Sequence, residues 1–393
     1  MQFRRIGQLV AATTVSAVAL SGAQAVAQEN KTTISVTNIT DIHGHLEDKI
    51  GDPAKAGDEI GVARLQSLIK QVNEGQEFNL TSSGDNVGGS AFVSAISDDK
   101  YTLEALNEMG MKVTAVGNHE FDKGTEDLTG RIADSSDYPI LGANVFKDGK
   151  PLLEASHVEE IDGVKVGYVG TVTENTKYKV SAAKIPGITF TNPAEATNKE
   201  ATRLKESGEA DVVVALMHED AQGFAEDFNK DVDVAFGGDT HVATKGEIER
   251  EGALPLQWAQ GHEYGKLLND VDITFDKTAK KITDISLKQY DATAAAKVEP
   301  DAEIAAIVKK AQQEADIEGA KTAGTVERAL FRGSDENADS GSNRGVESTL
   351  NNFIADGQRY AMSKQVGEDI EIGVMNAGGV RADLKGGDVT YKD

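Results

Sequence analysis

The sequence contains no cysteine, which excludes disulfides, zinc–thiolate sites and thiol nucleophiles together. It also lacks any long basic run, and 65 acidic residues against 40 basic ones leave a formal net charge of −25. Most of such a surface repels a polyanion such as DNA, so no nucleic-acid polymer is expected as a partner. Beyond the N-terminus no apolar stretch approaches the roughly 20 residues that a membrane-spanning helix needs, and no internal repeat is visible. What is present suits a folded globular chain: 39% hydrophobic and 27% charged residues are too apolar a mixture for disorder. At 393 residues a single core is unusual, so a large domain accompanied by a second one, or part of one, is expected.

At the N-terminus Arg4 and Arg5 precede an uncharged run from Leu9 to Leu20, followed by small-residue sites at Ala23-Gln24-Ala25 and Ala25-Val26-Ala27. Residues 1–27 therefore read as a cleaved secretory signal peptide. As a helix the apolar run would reach only about 18 Å, short of the roughly 30 Å hydrocarbon core, so a retained anchor fits poorly. The mature chain is expected to be secreted or extracytoplasmic in the cell envelope, with no membrane attachment after cleavage.

From Lys31 to about Lys288, β-type runs (TTISVTNIT, EFNLTSS, KVTAVG, ADVVVALM, VDVAFGG and LNDVDITFD) alternate with helical patterns at 61–74, 102–109 and 194–207. That alternation predicts an α/β sheet architecture. Residues 301–317 predict an alanine-rich interdomain helix with an acidic start. The polar stretch FRGSDENADSGSNRG predicts a loop, after which residues 346–362 predict a helix and 369–375 a strand.

The informative residues stand immediately after the strand runs. ISVTNIT leads into Asp41-Ile-His43-Gly-His45, NLTSSG into Asp85-Asn86, KVTAVG into Asn118-His119-Glu120-Phe-Asp122, VVVALM into His218, and VAFGG into Asp239-Thr-His241. Open α/β sheets bind ligands beyond the carboxyl ends of their strands, so clusters spread over some two hundred residues are expected to converge there. Five of the seven histidines fall in these clusters. Nitrogen and carboxylate donors from five loops are too many for one tetrahedral ion and suit a pair of ions about 3.5 to 4 Å apart, bridged by one carboxylate. Such a pair acidifies a water into an attacking hydroxide and absorbs charge developing on a phosphoryl group.

These motifs, D-x-H, then Gly84-Asp85 with Ser90 downstream, GNHEFD at 117–122, a strand-end histidine and GG-x-x-H, resemble the calcineurin-like metallophosphatases, and specifically the exported bacterial 5′-nucleotidases. The resemblance runs in order from about Thr33 to Phe275 and resumes near Arg344. It implies a four-layer αββα metallophosphatase sandwich over 31–295, a linker helix over 300–318, and a partial α+β C-terminal substrate domain over 320–393. By position it implies Asp41 and His43 on one ion, Asp85 as the bridge, Asn118 and His218 on the second ion, and His241 returning to the first. Asp239 stands where the family has a histidine, which adds negative charge and shifts preference toward Mn, Mg or Ca and away from Zn. His119 and Asp122 match the family's dyad, the histidine acting on the leaving-group oxygen and the aspartate fixing its tautomer. His45 is either a neighbour of this site or an exposed loop residue. His262 and His157 read as structural and surface residues, and Trp258 as core.

Met375–Leu384 (MNAGGVRADL) resembles the signature that opens the family's substrate domain, and Ser342–Asp356 its preceding arginine-bearing helix start. Arg344, Asn376 and Arg381 would then hold the phosphate or ribose side of a small nucleotide. The family's domain continues beyond this point, so either the sequence is a fragment or the chain lacks a base clamp. The activity implied is release of phosphate from nucleoside 5′-monophosphates, or from UDP-sugars or cyclic nucleotides. Two rivals stay open: a hydrolase of another phosphoester or sulfur-linked substrate, and a metal-binding or interaction protein with a defective site. The sequence leaves the oligomeric state open.

Overall fold

The computed structural model describes residues 30–393, so the expected signal peptide lies outside the described residues. Strands β1 (Lys31–Ile39), β2 (Phe78–Ser82), β3 (Met111–Ala115) and β4 (Ile140–Leu141) lie parallel to one another in one sheet. Six later strands build a second sheet: β5 (Ser156–Ile161), β6 (Val164–Val172), β7 (Val212–His218), β8 (Val234–Gly237), β9 (Ala243–Ile248) and β10 (Leu256–Gly261). The chain then returns through β11 (Leu267–Asp276) and β12 (Lys281–Asp291) to the first sheet, which reads β12-β11-β1-β2-β3-β4. The second reads β9-β10-β8-β7-β6-β5, with β6, β7, β8 and β10 parallel.

Burial explains why the apolar runs are continuous. Val212, Val214 and Leu216 of β7 share a core with Ile34 and Val36 of β1 and Val271 and Ile273 of β11, which fixes the two sheets face to face. The alternate residues Val213, Ala215 and Met217 join Ala201 and Leu204 of a helix, α3 (Pro193–Ser207), on the opposite face. A strand buried on both faces needs no polar alternation. On the outer face of the first sheet, α1 (Val62–Val72) buries Val62, Leu65, Leu68 and Ile69, and Asn73 just beyond it donates to Thr37 Oγ1 of β1 (3.0 Å). Helix α2 (Lys100–Glu108) buries Leu103 and Leu106. The layers are those of the expected αββα sandwich. The helix expected at 194–207 begins one residue earlier because Asn192 caps it, its side chain accepting from the Glu195 N–H (2.9 Å), and it stops at left-handed Gly208.

Residues up to Ala311 form one compact unit and Gln312–Asp393 a second, the division falling inside helix α4 (Ala302–Gly319). In the second unit β13 (Thr322–Val326) pairs antiparallel with β14 (Gly387–Thr390), and α5 (Thr349–Val366) starts three residues later than expected, where Ser348 accepts from the Asn351 N–H. The strand expected at 369–375 does not form. The Ile370 N–H donates to Ser363 Oγ (2.9 Å) and its carbonyl accepts from Arg359 Nη1 (3.3 Å), so the segment bonds to side chains of α5. No neighbouring strand among the described residues completes a ladder there, and Ile372 and Val374, which carry the alternation, are 78% and 81% exposed.

Candidate metal centre

Each cluster begins where a parallel strand ends and the backbone turns. The turns are tight: Asp41, His43, Asp85, Asp239 and His241 all have φ between 45 and 70°, a left-handed conformation that costs a non-glycine residue about 1–2 kcal/mol. Two glycines let the loops approach. A Cβ on Gly117 would stand 2.1 Å from Asp85 Oδ1, and one on Gly238 would stand 2.9 Å from His218 Nδ1.

The histidine rings are oriented by backbone carbonyls. His43 Nδ1 donates to Gly88 O (2.7 Å) and His218 Nδ1 donates to Ser83 O (2.8 Å), so each ring turns its Nε2 lone pair inward. Both Nε2 atoms are buried and have no hydrogen-bond partner. His43 Nε2 lies 3.9 Å from Asp41 Oδ1 and 3.6 Å from Asp85 Oδ2. His218 Nε2 lies 3.0 Å from Asp85 Oδ2 and 3.7 Å from Asp239 Oδ1, and His241 Nε2 lies 3.4 Å from Asp41 Oδ1. Three overlapping groups have ligand atoms within 4.8 Å of one another: Asp41, His43 and His241; His43, Asp85 and His119; and Asp41, Asp85 and His218. Orphaned imidazole nitrogens converging on buried carboxylates fit divalent ions, and donors of N and O alone suit hard or borderline ones.

The electrostatics agree. Burial lowers the His43 pKa below the ordinary imidazole value against the pull of Asp85 and Asp41. Burial opposes charge on Asp85, yet His218, His43 and His119 outweigh it and hold this carboxyl well below the usual carboxylate range. Burial likewise opposes a proton on His218, but Asp85, Asp41 and Asp239 raise its pKa well above the ordinary value. The negative field that draws a proton to His218 would draw a cation in its place.

Asn118 and Asp239 complete the cluster. In one orientation the Asn118 amide donates to Asp239 Oδ1 (2.9 Å) and accepts from the His119 N–H (3.2 Å). In the other it sets two oxygens against each other, which is favourable only with a cation between them. Beside the cluster, His119 Nδ1 meets Asp122 Oδ2 at 2.8 Å, and the His119 N–H donates to Asp85 Oδ1 (2.8 Å). Burial opposes a proton on the His119 ring, but the Asp122 hydrogen bond and Asp85 push its pKa up to about 9.

Sequence reasoning passes over three features. Glu120, buried inside GNHEFD, accepts N–H bonds from Gly117 (2.7 Å), Asn86 (2.9 Å) and Asp85 (3.1 Å), tying two ligand loops together. Burial and Asp85 push its pKa up to about 8, against the pull of His218 and of the Gly117 and Asn86 N–H groups. Tyr264 stacks on His45 (ring centroids 3.7 Å apart, 8° between planes), and its N–H donates to Asp41 O (2.8 Å). His45, also paired with Glu59 (2.9 Å), is therefore packed against the centre. Third, Lys179 donates to Asp239 Oδ1. His157 pairs with Glu159 and His262 with Glu263, outside the cluster. Within the second unit, a Cβ on Gly378 would lie 3.5 Å from both Arg344 Nη1 and Asn376 Oδ1, so these two residues are neighbours. The Asn376 side chain also accepts from the Gly378 N–H (3.0 Å), and Arg381 stands exposed with its carbonyl accepting from Arg332 Nη1 (3.0 Å).

Residues 34–243 match the family described as calcineurin-like phosphoesterase. The chain belongs to that family. Residues 322–393 match the 5′-nucleotidase C-terminal domain. Among similar proteins, endonuclease YhcR of Bacillus subtilis is 30% identical over 390 residues, covering 92% of this chain and 30% of that protein. Cell wall protein Lmo0130 of Listeria monocytogenes is 30% identical over 440 residues, covering 96% of this chain and 54% of that protein. The chain thus spans about half or less of the length of these two relatives. The fold matches the 5′-nucleotidase precursor of Thermus thermophilus with a TM-score of 0.70 at 20% identity, over 91% of this chain and 72% of that one. Among the described residues no helix is long and apolar enough to cross a membrane.

Proposed function

We propose that this phosphoesterase-family chain is an exported, metal-dependent hydrolase that releases phosphate from nucleoside 5′-monophosphates. One observation carries the reading: the buried, partnerless Nε2 atoms of His43 and His218 converge on Asp41 and Asp85 beside a His119–Asp122 dyad. Asp41, His43 and His241 would hold one divalent ion, Asn118, His218 and Asp239 a second, and Asp85 both. Bound there, the ions would supply Lewis acidity toward phosphoryl oxygens and an acidified water.

The protein's own groups do the rest. With Nδ1 held by Asp122, the His119 ring carries a transferable proton at Nε2 for the departing ribose oxygen. Asp85 fixes the dyad to the ligand set by accepting the His119 N–H. Arg344, Asn376 and Arg381 would contact the phosphate or ribose, and the match of residues 322–393 to a 5′-nucleotidase domain supports a nucleotide substrate. The net charge of −25 favours a mononucleotide over a polymer. Export rests on the N-terminal signal-peptide pattern, and the domains proposed are 31–295 and 320–393 joined by the helix over 300–318.

Mature protein supplied with Mn is expected to release phosphate from AMP, to stop on chelation, and to leave a DNA oligonucleotide intact. Cleavage of the oligonucleotide with AMP untouched would overturn the substrate assignment. The Asp239–Lys179 contact favours one rival, a metal-binding protein without turnover, which would bind ions and leave every nucleotide intact.

A further inference from the structure

Within the candidate ligand set, Asp239 is the carboxylate held by a lysine. Lys179 closes the short helix Thr176–Lys179, in the loop beyond the carboxyl end of β6, and its ammonium donates to Asp239 Oδ1. That same oxygen faces the metal centre, 3.7 Å from His218 Nε2 and 2.9 Å from the Asn118 amide. Asp239 belongs to none of the three groups whose ligand atoms lie within 4.8 Å of one another. One oxygen therefore has two claimants, the lysine and an ion held by His218 and Asn118. The carboxylate is well enclosed, its side chain 9% exposed, whereas the Lys179 side chain is 36% exposed on a flexible stem. An enclosed carboxylate between two cations binds whichever is present, and each weakens the hold of the other.

We propose that Lys179 is a positioning residue that competes with the second ion for Asp239 Oδ1, so that the second ion binds more weakly than the first and is taken up as the lysine lets go. The proposal rests on the two-ion reading and concerns the second ion alone. Asp239 touches the Asp41–His43–His241 group through its backbone N–H, which donates to the Asp41 carboxylate (3.2 Å), and side-chain substitutions at 179 and 239 keep that N–H and the donor atoms of the group, so the first ion keeps its ligands in every variant.

The test is Mn titration by calorimetry, with bound metal counted by elemental analysis, on the full chain and three variants. Wild type is expected to show one tight and one weak site. Lys179→Met is expected to tighten the weak site by about tenfold, the scale on which groups contacting metal ligands act, and to leave the tight site unchanged. Lys179→Arg, which keeps the charge, is expected to behave as wild type. The double variant Lys179→Met with Asp239→Asn is expected to lose the gain, because the freed oxygen is then no longer a carboxylate. Two sites of unchanged affinity in Lys179→Met, or a gain retained in the double variant, would overturn the role of Lys179 and leave the two-ion reading standing. A single site in every variant at saturating Mn would overturn both.

Discussion

The two units organise their chemistry in opposite ways. In the unit ending at Ala311, Asp41 and His218 are fully buried, His43 and Asp85 nearly so, and each histidine ring is aimed by a carbonyl on another loop. In Gln312–Asp393, Arg344 and Arg381 stand in solvent, and α5 buries only Leu350 while Phe353, Tyr360 and Val366 remain exposed. Burial is what makes converging carboxylates and imidazoles effective, since charges interact strongly only where water is excluded. Residues that hold a charged substrate from the outside need no such enclosure. On the function proposed here, the first unit would depend on fixed loop geometry and the second on side-chain charge at a surface.

Substitutions can break that contrast, beginning with the centre. Asp85→Ala removes a member of two of the three ligand groups and the acceptor of the His119 N–H. Phosphate release is expected to fall about a thousandfold or more, roughly 4 kcal/mol in barrier, with loss of bound metal. Near-normal metal content in that variant would remove Asp85 from its bridging position. Next in size, Asp122→Asn leaves the ligand groups intact but takes away the carboxylate that orients His119. Turnover is expected to drop about a hundredfold while metal content holds. If metal is lost and turnover per bound ion persists, Asp122 is a structural support of the centre and nothing more.

Two smaller effects sharpen the same comparison. Glu120→Gln turns one acceptor oxygen into an amide donor facing the N–H groups of Gly117, Asn86 and Asp85, and is expected to lower stability by about 1–3 kcal/mol, read as a thermal midpoint. Phe353→Ser, on the open face of α5 where the ring is 50% exposed, is expected to change stability by less than about 0.5 kcal/mol. Equal losses for the two would mean that α5 is covered in solution.

How far the sequence anticipates this molecule depends on where the deciding information lies. The runs of β1, β2, β7 and β8 are apolar enough to be read directly, and the metal-facing letters sit immediately after them, so the sandwich and its ligand loops are legible. Glu120 is not, because a carboxylate beside a histidine acquires its role only when loops 84–87 and 117–120 meet in space. Lys179 gives no signal at all: a lysine in NTKYKV has no spacing relation to Asp239, sixty residues on. Residues 369–375 fail for the opposite reason. Their alternation is clear, but a strand is a relation between two segments, and none of the described residues supplies the partner.

Trp258, the single tryptophan of the chain, lies in β10, 7% exposed and packed so closely over Gly246 that a Cβ there would come within 2.6 Å of the indole. Its emission is therefore a native optical label for the sandwich, to which Gln312–Asp393 contributes no indole. During denaturant titration, tryptophan fluorescence follows the unit that carries the candidate metal centre, while far-ultraviolet dichroism sums the helices of both. A gap between the two curves would measure, without any added dye, how independently the halves melt.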